Sequence, residues 1–292
     1  MSVQGFFQNY PTSFLVTVTI LGLIIGSFLN VVIYRLPIML KTQWNKECKE
    51  WLGMHDPAAN TSAQPFNLIT PRSRCPACGH QINALENIPI LSYVVLRGRC
   101  AACKTPIPIQ YPLVEALTGA LSLLVAWHFG YSWQTAAALV LTWVLIALSV
   151  IDLQTKLLPD AITVPFLWVG ILVNMEQTFT DLTSSVLGAV FGYLSLWSIY
   201  RLFKLVTGKE GMGYGDFKLL ALFGAWLGWQ SLPLIIILSS LVGAVAGISL
   251  IAFKGQDRNS PIPFGPYLAT AGWIAMLWGQ GITQSYLEFT VG

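Results

Sequence analysis

SFLVTVTILGLIIGSFLNVVIYR, residues 13–35, runs without a charged side chain until its final arginine. A bilayer core of about 30 Å asks for about 20 apolar residues in a helix, so this stretch reads as a membrane span. The rest of the chain agrees. Of its 292 residues, 54% are hydrophobic and 10% are charged, and mean hydropathy is +0.63, whereas soluble proteins carry roughly a quarter charged residues. Seven further spans are expected at 111–129, 133–152, 160–175, 183–203, 216–229, 231–253 and 264–281. A cleavable signal peptide places its positive charge before the apolar run and a small-residue cleavage site after it. Here the charge, Arg35, follows, so the first helix is expected to remain attached with its N-terminus outside.

Lysine and arginine accumulate on the cytoplasmic side of membrane proteins. With the N-terminus outside, all 16 basic residues fall in 36–110, 153–159, 204–215 and 254–263 or at the helix ends flanking them. His55 and Arg258 belong to these inside segments, while the opposite face holds only Glu176, Asp181 and Glu288. Both termini are therefore expected outside, on the side opposite the cytoplasm, with the helices surrounded by membrane lipid. The net charge of +3 is a topology signal, and no basic stripe points to nucleic acid. The expected fold is an all-α integral membrane protein of about eight transmembrane helices. Its parts are a first helix at 1–35, a cytoplasmic loop subdomain at 36–110 and a seven-helix membrane portion at 111–292. No convincing internal repeat stands out.

Within the loop, CPACGHQINALENIPILSYVVLRGRCAAC places Cys75, Cys78, Cys100 and Cys103 in two C-x-x-C pairs. Each pair offers two thiolates from a tight knuckle, and two knuckles complete the closed tetrahedron of structural zinc. Two disulfides are the alternative, disfavoured in a reducing cytoplasm. Gly79 and Gly98 suit the turns; His80 reads as a solvated histidine or a replacement ligand, and Cys48 as an ordinary thiol. Such a loop has little apolar core, so a metal would supply much of its folding energy.

Few of the 13 acidic residues lie near membrane depth, where an ionisable group is costly. Asp160 follows Pro159 and opens an apolar run, which predicts a helix N-cap. Asp152 closes a span, where the macrodipole disfavours negative charge, so something else must hold it there. Asp216 follows glycines at 211, 213 and 215, which would permit positive φ and close approach of an extended peptide. Spans three and six run in opposite directions, bringing Asp152 and Asp216 to one membrane face. Two carboxylates sharing a proton can act as base and acid around one water. Glu115, one turn into the second span, has no evident role.

At these residues the chain resembles the type IV prepilin peptidases, membrane aspartic proteases of the glycine-x-glycine-aspartate kind. The likeness rests on LGLIIGSFLNVVIYRLP (21–37), the four-cysteine loop, YPLVEALTG (111–119), IDLQTKLLPD (151–160), GMGYGDFKLL (211–220) and PIPFGPYLA (261–269). The resemblance implies that Asp152 and Asp216 are the catalytic pair and that Cys75, Cys78, Cys100 and Cys103 bind zinc. It implies removal of a basic leader from type IV prepilins or type II secretion pseudopilins at the cytoplasmic face. It also implies N-methylation of the new N-terminal residue with S-adenosylmethionine, for which no Rossmann-type glycine fingerprint is present. The competing reading is a proton- or cation-coupled transporter using Asp152, Asp160, Asp216 and Glu115. A zinc-ribbon membrane scaffold is a weaker third.

Overall fold

The structure, a computed structural model, describes residues 3–54, 66–209, 211–254 and 263–291. His55, Arg258, Pro261 and Ile262 lie outside the described residues. The helices are α1 (Val3–Asn9), α2 (Pro11–Trp51), α3 (Leu91–Val95), α4 (Gln110–Phe129), α5 (Trp133–Thr155), α6 (Asp160–Val173), α7 (Leu182–Thr207), α8 (Tyr214–Leu227), α9 (Leu232–Lys254) and α10 (Gly265–Val291). Among the described residues, β pairing is confined to two isolated bridges, Arg74–Gln81 and Arg99–Pro106. The chain forms two compact units, Met1–Leu124 and Val125–Gly292.

In the first unit, α2 does not stop at Arg35. It continues through Pro37 to Trp51, 41 residues in all, about 60 Å at 1.5 Å per residue. The extension is built from good helix formers and i,i+4 pairs, with Gln43 Nε2 donating to Glu47 Oε1 at 2.8 Å and Lys46 near Glu50 at 3.8 Å. Its membrane portion packs on α4 through small residues. A Cβ on Gly22 would lie 2.5 Å from Ser122 Oγ, and one on Gly26 would lie 2.8 Å from Glu115 Cα. Small residues let two helix backbones approach closely where lipid supplies no hydrophobic drive. Arg35 is not a free interfacial charge. It is buried, donating to Asn67 O at 2.9 Å and to Pro71 O at 2.6 Å, which ties the loop to the helix.

The second unit is organised around α8. Phe217, Leu219, Leu220, Leu222, Phe223 and Trp226 are all fully buried, so the helix is apolar on every side, as a central helix must be. Glycines on its neighbours make room. Gly188 of α7 faces Gly224 backbone to backbone, Gly192 faces Leu220 and Ala221, Gly170 of α6 faces Trp226, and Gly272 of α10 faces Phe223. A buried helix end also needs partners for its last carbonyls. Asn174 Nδ2 donates to Ala225 O and Trp226 O, both at 2.9 Å, and Ser185 Oγ donates to Ala225 O as well.

Among the described residues, five segments are long and apolar enough to cross a membrane: Pro11–Trp51, Gln110–Phe129, Trp133–Thr155, Leu182–Thr207 and Trp229–Ser249. Helices α6 and α8 have 14 residues each, about 21 Å, shorter than the bilayer core. Helix α10 has 27 residues but is less apolar than those five.

Candidate active site

The last turn of α5 carries Asp152, which is 5% exposed. The helix ends at Lys156 in a left-handed conformation, φ 56°, whose amide donates to Asp152 O at 2.9 Å. What holds the side chain against the unfavourable helix end is the start of another helix. The Gly265 amide, at the N-terminus of α10, donates to Asp152 Oδ2 at 3.0 Å. A Cβ on Gly265 would lie 2.6 Å from that oxygen, so only glycine allows the approach.

Asp216 sits in the first turn of α8, with its amide donating to Gly213 O at 3.2 Å, and is 7% exposed. The carboxylates of Asp152 and Asp216 are within electrostatic range of each other. Among the described residues neither has a cationic partner. Leu158, on the connection between α5 and α6, lies against both Gly215 and Gly265, so one apolar side chain packs between the turn that carries Asp216 and the helix start that receives Asp152. Two desolvated carboxylates of this kind can share one proton.

The glycine triplet behaves differently from expectation. None of Gly211, Gly213 and Gly215 has positive φ, because the backbone turns directly into α8. A Cβ on Gly211 would lie 2.8 Å from the Phe203 ring, and one on Gly215 would lie 2.7 Å from Leu158 Cβ. Two of the three glycines are therefore required by packing within the chain. Only Gly213 is free of a tight neighbour, a Cβ there meeting Asp216 Oδ2 at 3.6 Å.

Asp160 is not an N-cap. Pro159 occupies that position, with no capping side chain, and the Asp160 carboxylate instead takes both hydrogen bonds from Lys218 Nζ, at 2.6 and 2.7 Å. The pair links the first turns of α6 and α8, two residues from Asp216.

In the loop, the Sγ atoms of Cys75, Cys78, Cys100 and Cys103 all lie within 4.8 Å of one another, and none is in a disulfide. Cys75 and Cys103 are 3.8 Å apart and Cys78 and Cys100 are 4.0 Å apart. Four sulfurs around a zinc at 2.3 Å would be about 3.8 Å apart, so the donor set fits that ion. His80 is not among the donors, since its Nε2 lies 3.1 Å from Glu86 Oε2.

The loop also contains a repeat that was not expected. Cys75 N donates to His80 O and Cys100 N to Thr105 O; Gly79 N donates to Cys75 O and Lys104 N to Cys100 O; Ile82 N donates to Ser73 O and Ile107 N to Gly98 O. Each member of a pair follows its counterpart by 25 residues. The signal was in the sequence, as R-x-R-C-x-A-C-x-x-x-I at 72–82 and again at 97–107. Gly79 and Lys104 occupy the same left-handed position, at φ 74° and 60°.

A second polar centre lies in the first unit, where sequence reasoning assigned no role. Glu115, 8% exposed, accepts from Ile90 N at 2.7 Å and has Ser27 as a neighbour. One turn earlier on α4, Tyr111 O accepts from Asn30 Nδ2 at 3.0 Å.

Residues 20–129 match the Bacterial Peptidase A24 N-terminal domain, and residues 139–248 match the Type IV leader peptidase family. The chain is similar to a prepilin leader peptidase/N-methyltransferase of Stutzerimonas stutzeri, with 55% identity over 99% of each chain. Proteins of the same name in Pseudomonas aeruginosa and Neisseria gonorrhoeae are 53% identical over 99% of each chain and 51% identical over 87% of each chain. No solved structure matches. These comparisons lend no support to a transporter. With both units matched and relatives aligned over nearly their whole length, this chain belongs to the Type IV leader peptidase family.

Proposed function

We propose that this chain is a membrane aspartic endopeptidase and N-methyltransferase. It removes the leader from type IV prepilins or type II secretion pseudopilins and methylates the new N-terminal residue. The observation that carries the reading is the buried pair Asp152 and Asp216, within electrostatic range and without a cationic partner among the described residues. The relatives' shared name supports both activities.

In this reading one carboxylate is ionised and takes a proton from the attacking water, while the other, protonated, donates to the carbonyl oxygen of the scissile peptide. The Gly265 amide fixes Asp152 Oδ2 and leaves Oδ1 to face the water. An intact helix protects its own amides, so the substrate must be extended at the cut. Gly213, the least crowded of the three glycines and in contact range of Asp216 Oδ2, is where such a strand could approach. Cys75, Cys78, Cys100 and Cys103 would hold zinc, which supplies folding energy to the loop and, with four thiolates, no open catalytic position. S-adenosylmethionine is the methyl donor.

The chain crosses the inner membrane eight times, with α6 and α8 as short spans, both termini periplasmic and residues 36–110 cytoplasmic. A prepilin whose basic leader stays in the cytoplasm and whose apolar segment enters lipid then meets the aspartates at the cytoplasmic face. The test is purified full-length protein mixed with a leader-bearing prepilin, followed by mass analysis. The expected product is a shortened pilin carrying one added methyl group at its N-terminus; an intact prepilin would overturn the proposal.

A further inference from the structure

The polar centre around Glu115 joins two helices and the loop. Helix α2 supplies Ser27 and Asn30, one turn apart on one face, and α4 supplies Tyr111 O and Glu115, also one turn apart. The loop supplies the Ile90 amide.

Three observations set the centre apart from an ordinary interhelical contact. First, Glu115 is buried, yet its carboxylate accepts from a neutral donor, the Ile90 N–H, and no lysine, arginine or histidine among the described residues reaches it. A buried carboxylate without a counter-charge is costly. Second, Asn30 is 4% exposed, and its Oδ1 is the one buried side-chain polar atom among the described residues that lacks a hydrogen-bond partner. Its amide orientation is fixed, because Nδ2 must face the carbonyl of Tyr111. The seam therefore holds a buried carboxylate and an orphan acceptor.

Third, the backbone that reaches Glu115 is strained. Ile90 has φ 61° and ψ −48°, with Leu91 N donating to Pro89 O at 2.5 Å across it. This is a γ-turn in its rare positive-φ form, on a β-branched residue, at a cost of about 1 to 3 kcal/mol. Strain of this kind persists where surrounding structure enforces it, and ligand clamps are a common setting.

We infer that Glu115, Asn30 and Ser27 form a binding site for a primary ammonium group used in the methylation step. An ammonium offers three donors and a positive charge, the complement of a carboxylate and an unpaired amide oxygen. The inference rests on the function proposed above. That reaction involves two such groups: the pilin N-terminus freed by cleavage, which binds as ammonium and gives one proton to Glu115 before its lone pair takes the sulfonium methyl and S-adenosylhomocysteine leaves, and the amino-acid end of S-adenosylmethionine.

Glu115→Gln separates charge from tether, because a glutamine oxygen can still accept from Ile90 N while the negative charge is gone. Full-length wild type and variant are given a leader-bearing prepilin and S-adenosylmethionine, and cleaved and methylated products are counted by mass. In the variant, methylated product per cleaved pilin should fall about tenfold or more. Binding of S-adenosylhomocysteine then distinguishes the sources. Weaker binding assigns the donor's ammonium, and unchanged binding with a raised KM for cleaved pilin assigns the pilin N-terminus. Methylation per cut equal to wild type, or cleavage and methylation falling in parallel, would overturn the inference. A wild type that neither cuts nor methylates would instead overturn the function on which it rests.

Discussion

The cysteine loop and helix α8 meet opposite problems. In the loop, Ile69, Leu85, Leu91, Val94 and Val95 are all exposed, so apolar burial contributes little and the knuckles converge on four sulfurs instead. Helix α8 has almost no exposed side chain after its first turn, and its neighbours have given up their own side chains at Gly170, Gly188, Gly192 and Gly272 to admit it. One region is held by a point, the other by close packing along its length. They should therefore fail differently: the loop locally, when its sulfurs are removed, and α8 globally, when a single methyl group is added.

The largest effect is expected from Gly224→Val. A Cβ there would lie 2.0 Å from Gly188 O, a backbone atom that cannot swing aside, so overpacking should cost about 3 kcal/mol or more. Thermal unfolding in detergent should show the second unit collapsing at markedly lower temperature. A wild-type melting curve would mean that α7 and α8 are not closely apposed.

Next comes Cys100→Ser. Loss of one thiolate should abolish stoichiometric zinc and raise hydrogen exchange across residues 72–107, while leaving α8 protected and cleavage measurable. Global loss of protection would erase the contrast between the two regions. Finding no bound metal in the wild type would remove the reason for it.

Smaller still is the Asp160–Lys218 pair. The Asp160 side chain is 61% exposed, and such pairs contribute about 0.2 to 1 kcal/mol. Asp160→Asn should therefore lower cleavage by no more than about fivefold, and exchanging the two charges should recover part of the loss. A dead Asp160→Asn enzyme would place this residue in the chemistry.

The smallest effect concerns Glu86. The Asn83 amide, and then His80, hold its carboxyl below its ordinary value. A carboxyl with a depressed folded pKa contributes stability above its unfolded pKa of about 4.3 and loses it as pH falls through the folded value. The Asn83 amide should thus stay protected from exchange at neutral pH and lose protection only as pH falls below the ordinary carboxyl range; Glu86→Gln should remove that pH dependence.

Both candidate centres were legible because each is written as a local motif. The cysteines sit in two C-x-x-C knuckles, and the aspartates stand at opposite helix ends that topology brings to one face. What escaped was non-local or masked by a plausible local rule. The Gly265 amide that receives Asp152 is 113 residues away, and nothing in PIPFGPYLA states which carboxylate it will meet. Asp after Pro commonly caps a helix, but the partner that claims Asp160, Lys218, is supplied by another helix. Pro37 did not end α2, since the following residues stabilise a helix through their own i,i+4 pairs. The glycines before Asp216 suggested positive φ, whereas two of them serve close contacts with Phe203 and Leu158 that only the packed chain reveals.

The central claim is that Asp152 and Asp216 cut the prepilin as a pair. It is tested most directly by incubating purified Asp152→Asn and Asp216→Asn proteins with a leader-bearing prepilin and measuring product by mass, with hydrogen exchange confirming an intact α8. Each single variant should be folded and lack detectable cleavage, because an amide can neither share the proton nor activate water. Normal processing by either variant would contradict the account.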